Sequence, residues 1–149
     1  MKILILSDSH RDFIRLDEKK FDYVIHAGDR GDTIFKNPNT YYVRGNCDIL
    51  GPDEENVVID GKKYFITHGH LYNVKYKMDN LVYRGMQEHA DIVIYGHTHI
   101  QEAFKEKGIW FINPGAYENG DYAVIDGKEL ILYRFGEVEG KYKLWKHIM

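Results

Sequence analysis

A single cysteine, Cys47, stands among the 149 residues, so no disulfide can form within the chain. That scarcity suits a reducing compartment, and a cytoplasmic location is expected. The three prolines and 14 glycines are dispersed. They form no linker, and there is neither a low-complexity tract nor a repeat of fixed period. Long apolar runs are missing as well. The opening MKILILSDSH holds four consecutive apolar residues, too few for a signal-peptide core or a membrane span. It reads as a buried first strand, and no membrane association is expected. Nor is there a strong charge of either sign. A formal net charge of −3 gives no strong footprint for a nucleic-acid backbone. The short basic clusters Lys75-Tyr76-Lys77 and Lys141-Tyr142-Lys143 read as solvated surface.

What is present is an ordinary globular composition, 44% hydrophobic and 29% charged, enough for one domain spanning residues 1–149 with a substantial core. Short apolar runs predict strands at Lys2–Leu6, Tyr23–His26, Tyr41–Arg44, Asn56–Ile59, Lys63–Thr67, Ile92–Tyr95, Gln101–Lys105, Ile109–Ile112, Tyr122–Ile125, Glu129–Arg134 and Lys141–Lys146. Asp60-Gly61 and Asp126-Gly127 read as hairpin turns. A helix is expected over Asp12–Lys20 and a short one after Asp32. A longer one is expected over 73–89, where Val74, Met78, Leu81, Val82 and Met86 recur at near-helical spacing. The first half thus alternates strand and helix, and the last third is almost all strand. That pattern is an α/β chain with a mixed sheet system, two sheets face to face with helices outside.

The chemistry gathers where strands end. The stretch DIVIYGHTH runs an apolar strand into a glycine and then His97 and His99. ILILSDSH likewise delivers Asp8 and His10, YVIHAGD delivers Asp29, and YYVRGNCD delivers Asn46 with Asp48 two residues on. YFITHGH adds His68 and His70. Ligands in open α/β sheets bind in the crevice beyond the carboxyl ends of strands, so five strand ends are expected to converge there. Each signal alone is weak, since Gly-Asp is a common turn and a histidine at a strand end often just meets a carbonyl. Their conjunction within one short chain carries the argument.

Four imidazoles, two carboxylates and an amide oxygen suit Mn²⁺, Fe²⁺, Ni²⁺ or Zn²⁺ better than the oxygen-seeking Ca²⁺ or Mg²⁺. Seven ligands exceed one tetrahedral ion and match two ions sharing a bridging carboxylate. Two dications against two carboxylates and a hydroxide leave about +1, an electrophilic site for an anionic ester. Ions about 3.5–4 Å apart could hold hydroxide on one side and phosphate oxygens on the other for in-line attack.

The ordered set DSH, GD, GNCD, THGH and GHTH, with NPGA at 113–116, resembles the calcineurin-like metallophosphoesterases, and more narrowly their compact bacterial and archaeal phosphodiesterases. The resemblance runs from Met1 to about Asp126. It implies a four-layer α-β-β-α sandwich of two mixed sheets and a dinuclear centre, with Mn²⁺ the favoured ion. It also implies that Asp8, His10 and His99 hold one ion, that Asn46, His68 and His97 hold the other, and that Asp29 bridges both. His97 and His99, one residue apart, would then reach different metals. Larger members carry a histidine after the Gly-Asn pair, where this chain has Cys47. Modest activity, best on activated phosphodiesters, is therefore expected.

Other residues carry weaker expectations. His70 could touch substrate or donate a proton in place of the missing histidine, which with Asp29 and Asn46 makes the catalytic set. Arg11, with His70 and Asn46, could meet a phosphate oxygen. Arg44 could do likewise or pair with a carboxylate, Asp48 could orient a ligand or cap a turn, and Tyr72 could stack on a nucleobase. His26 reads as a packed histidine, and His89 and His147 have no metal-like context. The expected activity is a dinuclear-metal phosphodiesterase acting through a metal-activated hydroxide on a small diester, with a nucleotide among the candidates. Two alternatives stand beside it: a non-catalytic protein-interaction scaffold resembling a retromer subunit of the same fold, and a phosphomonoesterase using the same site. A homo-oligomer is compatible with the apolar residues of the closing YKLWKHIM, which could instead pack on the core.

Overall fold

Alternating side chains of the first strand, β1 (Lys2–Leu6), divide the interior. Ile3 and Ile5 enter a core between two sheets, while Leu4 and Leu6 face the opposite way into a second cluster. The computed structural model describes residues 1–10, 12, 14–31 and 33–145. After β1 come β2 (Tyr23–His26), β3 (Thr40–Tyr42), β4 (Glu54–Ile59), β5 (Lys62–Thr67) and the helix α1 (Asp79–Gln87). They are followed by β6 (Ile92–Ile94), β7 (Glu102–Glu106), β8 (Ile109–Asn113), β9 (Asp121–Asp126), β10 (Glu129–Arg134) and β11 (Glu137–Lys143).

One sheet has the order β11-β10-β9-β1-β2-β3 and the other β4-β5-β6-β8-β7. Within the first, β1, β2 and β3 run parallel, and within the second β5, β6 and β8 do. Isoleucines of both sheets, among them Ile5, Ile25, Ile66, Ile94 and Ile112, form the core between them. The expected hairpins are present: Asp60 (φ 52°) and Gly61 (φ 77°) join β4 to β5, the pair of positive angles a tight two-residue turn needs. Gly127 (φ 62°) opens the turn between β9 and β10.

Each strand expected from the sequence forms, with ends displaced by a few residues. The last one begins earlier, at Glu137, and the expected end at Lys146 lies outside the described residues. Leu144 and Trp145 pack on the inter-sheet core, so this part of the closing segment has an internal partner.

The helices differ more. Among the described residues of Asp12–Lys20, which leave out Phe13, there is no α-helix, and the regular turn is Glu18–Lys20, capped by Asp17. Ile14 and Leu16, two residues apart, both pack on the outer face of the first sheet, which is the period of extended chain. The helix expected after Asp32 is also absent among the described residues, because the Glu18 carboxylate accepts the N–H groups of Lys36 and Asn37. The outer layer on this sheet is therefore irregular chain carrying Ile14, Leu16, Phe21 and Phe35, while α1 supplies the helical layer on the other. The expected helix over 73–89 is shortened to Asp79–Gln87, because Asn73 takes a left-handed conformation (φ 55°) and turns follow it.

Leu81 fixes α1 to Phe65, Val93 and Phe111 of the second sheet and is fully buried. Leu81→Ala is expected to cost about 2–5 kcal/mol, read as a lower urea midpoint at unchanged slope.

Candidate functional site

Six parallel strands, three from each sheet, end on the same side and supply the polar residues. β1 leads to Asp8 and His10, β2 to Asp29, and β3 to Asn46. β5 leads to His68, β6 to His97 and His99, and β8 to the turn at Tyr117–Asn119. Backbone bonds lace these ends together. The Asp8 N–H donates to the Gly28 carbonyl (2.9 Å), that of His10 to Asp29 (2.8 Å), and that of Gly96 to His68 (3.0 Å). Asn113, fully buried, donates across to Gly96 O and Thr98 Oγ1, which ties the NPGA loop to the GHTH turn.

The rings fall into two groups. His10 and His99 stand edge to face with centroids 5.6 Å apart. His68, His70 and His97 form a second set at 5.0–6.1 Å. His97 and His99 thus belong to different groups. Between the groups lie two carboxylates. Asp8 Oδ1 is 3.2 Å from His99 Nε2, 3.7 Å from His68 Nε2 and 3.8 Å from His10 Nε2. Asp29 Oδ2 is 3.2 Å from His68 Nε2 and 4.0 Å from His10 Nε2.

The other oxygens of the pair are engaged elsewhere. Asp8 Oδ2 accepts from Ser7 Oγ (2.6 Å) and the His97 N–H (3.1 Å), and Asp29 Oδ1 accepts from the Cys47 N–H (2.8 Å). His68 Nδ1 lies 2.8 Å from the Ala27 carbonyl, which assigns a proton to Nδ1, so that in the neutral ring the lone pair is at Nε2. That lone pair faces two carboxylate oxygens. Asp8 Oδ1, His10 Nε2 and His68 Nε2 are buried, and each has no hydrogen-bond partner among the described residues.

With the histidines neutral, these electron-rich atoms face one another without a donor, so the donor set fits divalent metal. Asp8, His10 and His99 each bring a ligand atom within 4.8 Å of the others, as do Asp8, Asp29 and His68, and also His10, Asp29 and Cys47.

Burial would raise the Asp29 carboxyl, but His68 and the Cys47 N–H hold it below the usual carboxylate range. Burial pulls the His68 imidazole down, and the Asp29 and Asp8 carboxylates more than offset this, holding it above its ordinary value. Burial and the neighbouring His68 push His97 down to about 4 and lower His70 as well. Desolvation of its sulfur and the Asp29 charge raise Cys47, which therefore keeps its proton.

The backbone is shaped around these groups. Asp8 (φ 51°), His10 (49°), Asp29 (58°), His97 (72°) and His99 (63°) are all left-handed. Asp48 accepts the N–H groups of Asp29 (2.8 Å), Gly45 (3.0 Å), Gly31 (3.3 Å) and Arg30 (3.4 Å), which clamps the turns after β2 and β3 together. Two glycines are required by close approach. A Cβ on Gly45 would stand 2.1 Å from Asp29 Oδ1, and one on Gly96 would stand 2.0 Å from Ser7 Oγ and 2.7 Å from Asp8 Oδ2.

The model of the calcineurin-like phosphoesterase superfamily domain matches residues 1–128. The chain belongs to the calcineurin-like phosphoesterase superfamily. Its relatives include a probable metallophosphoesterase, YsnB of Bacillus subtilis, 35% identical over 126 residues that cover 78% of this chain and 75% of YsnB. Another is the phosphodiesterase MJ0936 of Methanocaldococcus jannaschii, 33% identical over 145 residues and covering 77% and 83%. By this membership the chain is a phosphoester hydrolase. Among solved structures, a predicted phosphoesterase of Streptococcus pneumoniae TIGR4 superposes with a TM-score of 0.76 at 27% identity, covering 95% and 97% of the two chains. Vps29 of Entamoeba histolytica, complexed with Zn²⁺, shares the fold with a TM-score of 0.74 at 21% identity, over 97% and 99%.

In this family setting the remaining residues sort clearly. Asn46 stands exposed on the turn after β3, and His70 sits at the rim beside His68 and His97. Arg11 and His147 lie outside the described residues. Arg44 pairs with Asp53 at 2.7 Å, so it takes the structural role of its two expectations. Tyr72 is not available for stacking: its ring packs toward the cluster under α1 and its hydroxyl is bonded to Glu54. His26 is fully buried, accepting the Gly28 N–H at Nδ1 and meeting Ser9 Oγ at Nε2. Sequence reasoning missed Glu118, which lies 3.8 Å from both His10 and His99. Its one signal was its position three residues past Gly115 in the NPGA loop.

Gly45→Ala is expected to displace Asp29 and lower stability, since the added Cβ would stand 2.1 Å from Oδ1 and 2.5 Å from the backbone nitrogen of Asp29. Calorimetric titration with Mn²⁺ should show a loss of affinity of about tenfold or more. A second expectation concerns His26, which burial and the nearby His68 push down to about 3. The unfolded chain binds a proton below about pH 6.5 that the folded one refuses, so stability is full above that pH and falls on acidification toward pH 3. Urea unfolding of chelator-treated protein between pH 7 and 4 should show a slope that His26→Gln reduces by up to about 1.4 kcal/mol per pH unit.

Proposed function

We propose that this chain is a phosphodiesterase working with two divalent metal ions, Mn²⁺ by preference and Ni²⁺, Fe²⁺ or Zn²⁺ as alternatives. Residues 1–149 act as one cytoplasmic domain in this reading. The observation that carries it is the set of buried, unpartnered atoms Asp8 Oδ1, His10 Nε2 and His68 Nε2 between two groups of histidines. Asp8, His10 and His99 hold the first ion, Asn46, His68 and His97 hold the second, and Asp29 serves both. When bound, the ions supply positive charge for the phosphate oxygens and make hydroxide available near neutral pH for attack on phosphorus.

The side chains then divide the remaining work. Ala27 holds the His68 proton at Nδ1, so Nε2 stays a ligand. The Cys47 N–H fixes Asp29 by one oxygen and leaves Oδ2 facing the centre. His70, with its buried Nδ1 unpartnered, meets the substrate or passes a proton to the leaving oxygen, and Asn46 offers an exposed amide to the phosphate. Cys47 holds its proton tightly where larger family members have a histidine. Esters whose leaving group needs no protonation are favoured, which points to activated diesters. Relatives named as phosphodiesterases support the diester choice, and a small substrate agrees with the formal charge of −3.

Chelator-stripped protein should hydrolyse bis-p-nitrophenyl phosphate on addition of Mn²⁺, and Asp29→Asn should lower the rate by about a hundredfold or more. Folded protein that binds metal without turnover would favour the scaffold reading, which the Zn²⁺-bound fold neighbour keeps in play. Faster hydrolysis of p-nitrophenyl phosphate than of the diester would favour the monoesterase.

A further inference from the structure

We propose that Glu118 is a third carboxylate of the centre, a positioning residue for His10 and His99 whose charge disfavours dianionic phosphomonoesters. This rests on the two-ion reading above. The turn that carries Glu118 is suspended from the end of β1. The Tyr117 N–H donates to the Ser7 carbonyl at 2.8 Å and the Glu118 N–H to that of Asp8 at 3.4 Å. Tyr117 Oη in turn accepts the Arg15 N–H at 3.0 Å. The turn is thus held against the loop that bears Asp8 and His10.

From this turn Glu118 Oε1 reaches 3.8 Å from His99 Nδ1 and 3.8 Å from His10 Nε2. His99 stands between two carboxylates, since its other nitrogen, Nε2, is 3.2 Å from Asp8 Oδ1. A neutral imidazole carries one proton and one lone pair, and a negative charge near Nδ1 favours the proton there. At 3.8 Å Glu118 is beyond hydrogen-bond reach and acts on His99 by charge, favouring the form with its proton at Nδ1 and its lone pair toward Asp8 and the centre. His10 receives the same charge at Nε2, the nitrogen that also faces Asp8 and Asp29.

The charge has a second consequence. Two divalent ions against Asp8 and Asp29 leave about +2, and Glu118 lowers this to about +1. A diester brings one negative charge and a monoester up to two, so the added carboxylate opposes the monoester about twice as strongly. His10 and Glu118 are both partly exposed, which places the carboxylate where an incoming anion meets it.

The test uses chelator-stripped wild type, Glu118→Gln and Glu118→Asp, each titrated with Mn²⁺ by calorimetry after thermal unfolding has verified the fold. Glu118→Gln should weaken one of the two binding steps by about ten- to a hundredfold and leave the other largely unchanged. At saturating Mn²⁺, its ratio of kcat/KM for p-nitrophenyl phosphate over bis-p-nitrophenyl phosphate should rise roughly tenfold. Glu118→Asp, which keeps the charge, should hold that ratio near wild type. Unchanged binding steps in folded Glu118→Gln would overturn the positioning role, and an unchanged ratio would overturn the charge role. A wild type that binds no Mn²⁺ would overturn the two-ion reading and this inference with it, so the two failures are told apart.

Discussion

Asp8 and Asp29, on neighbouring parallel strand ends and almost wholly buried, direct one oxygen each at Nε2 of His68, at 3.7 and 3.2 Å. The rest of the site is arranged around that confrontation. Burying two carboxylates would cost several kcal/mol each if they had no partners. The chain meets part of that cost with donors aimed at one oxygen of each: Ser7 Oγ and the His97 N–H for Asp8, the Cys47 N–H for Asp29. The second oxygen of each is left pointing inward among the histidines. A fold optimised for stability alone would have given Asp8 Oδ1 a partner too. Its open state makes sense as a demand for cation, which the proposed pair of divalent ions would fulfil.

Holding that arrangement requires the backbone to turn abruptly at each strand end. Five of the seven proposed ligands adopt left-handed angles, which cost L-residues about 1–2 kcal/mol apiece, less for aspartate. Their sum rivals the net stability of an ordinary domain. The inter-sheet core of isoleucines carries the load, and the crosslinks between loops spread it. Asp48 shows the method: one carboxylate collects four N–H groups from two turns, so the turns cannot relax separately. Gly45 and Gly96 then allow backbone to pass where a methyl group would strike Asp29 or Asp8.

The strands and most of the candidate site were legible in the sequence because both are written locally. An apolar run of strand length ending in glycine and a polar pair announces its strand and its chemistry together, as DIVIYGHTH does. What was not legible depends on contacts far along the chain. Ile14 and Leu16 suited a helix or an extended segment, and packing on Leu4 and Leu6 decided for the second. Tyr72 looked free, but Glu54 of β4 bonds its hydroxyl. Glu118 was hidden for the opposite reason. Glutamates in loops are common, and only the suspension of its turn from Ser7 and Asp8 brings it near two histidines.

The two ends of the site are chemically unlike, and this asymmetry bears on how an ester would lie. The end with His68, His70 and His97 holds three imidazoles, two of them with lowered proton affinity, beside an exposed amide from Asn46. The end with His10 and His99 carries Glu118 in addition to Asp8. With Asp8 and Asp29 between the two groups, Glu118 adds negative charge on one side only, and hydrogen-bonding nitrogen predominates on the other. An anionic phosphate gains by placing its oxygens toward the imidazole end and its uncharged ester arm toward Glu118. A diester has such an arm to spare on either side of phosphorus, whereas a monoester must turn charged oxygens toward the carboxylate. The preference for diesters proposed from Cys47 and the leaving group would thus be reinforced, at the other end, through charge.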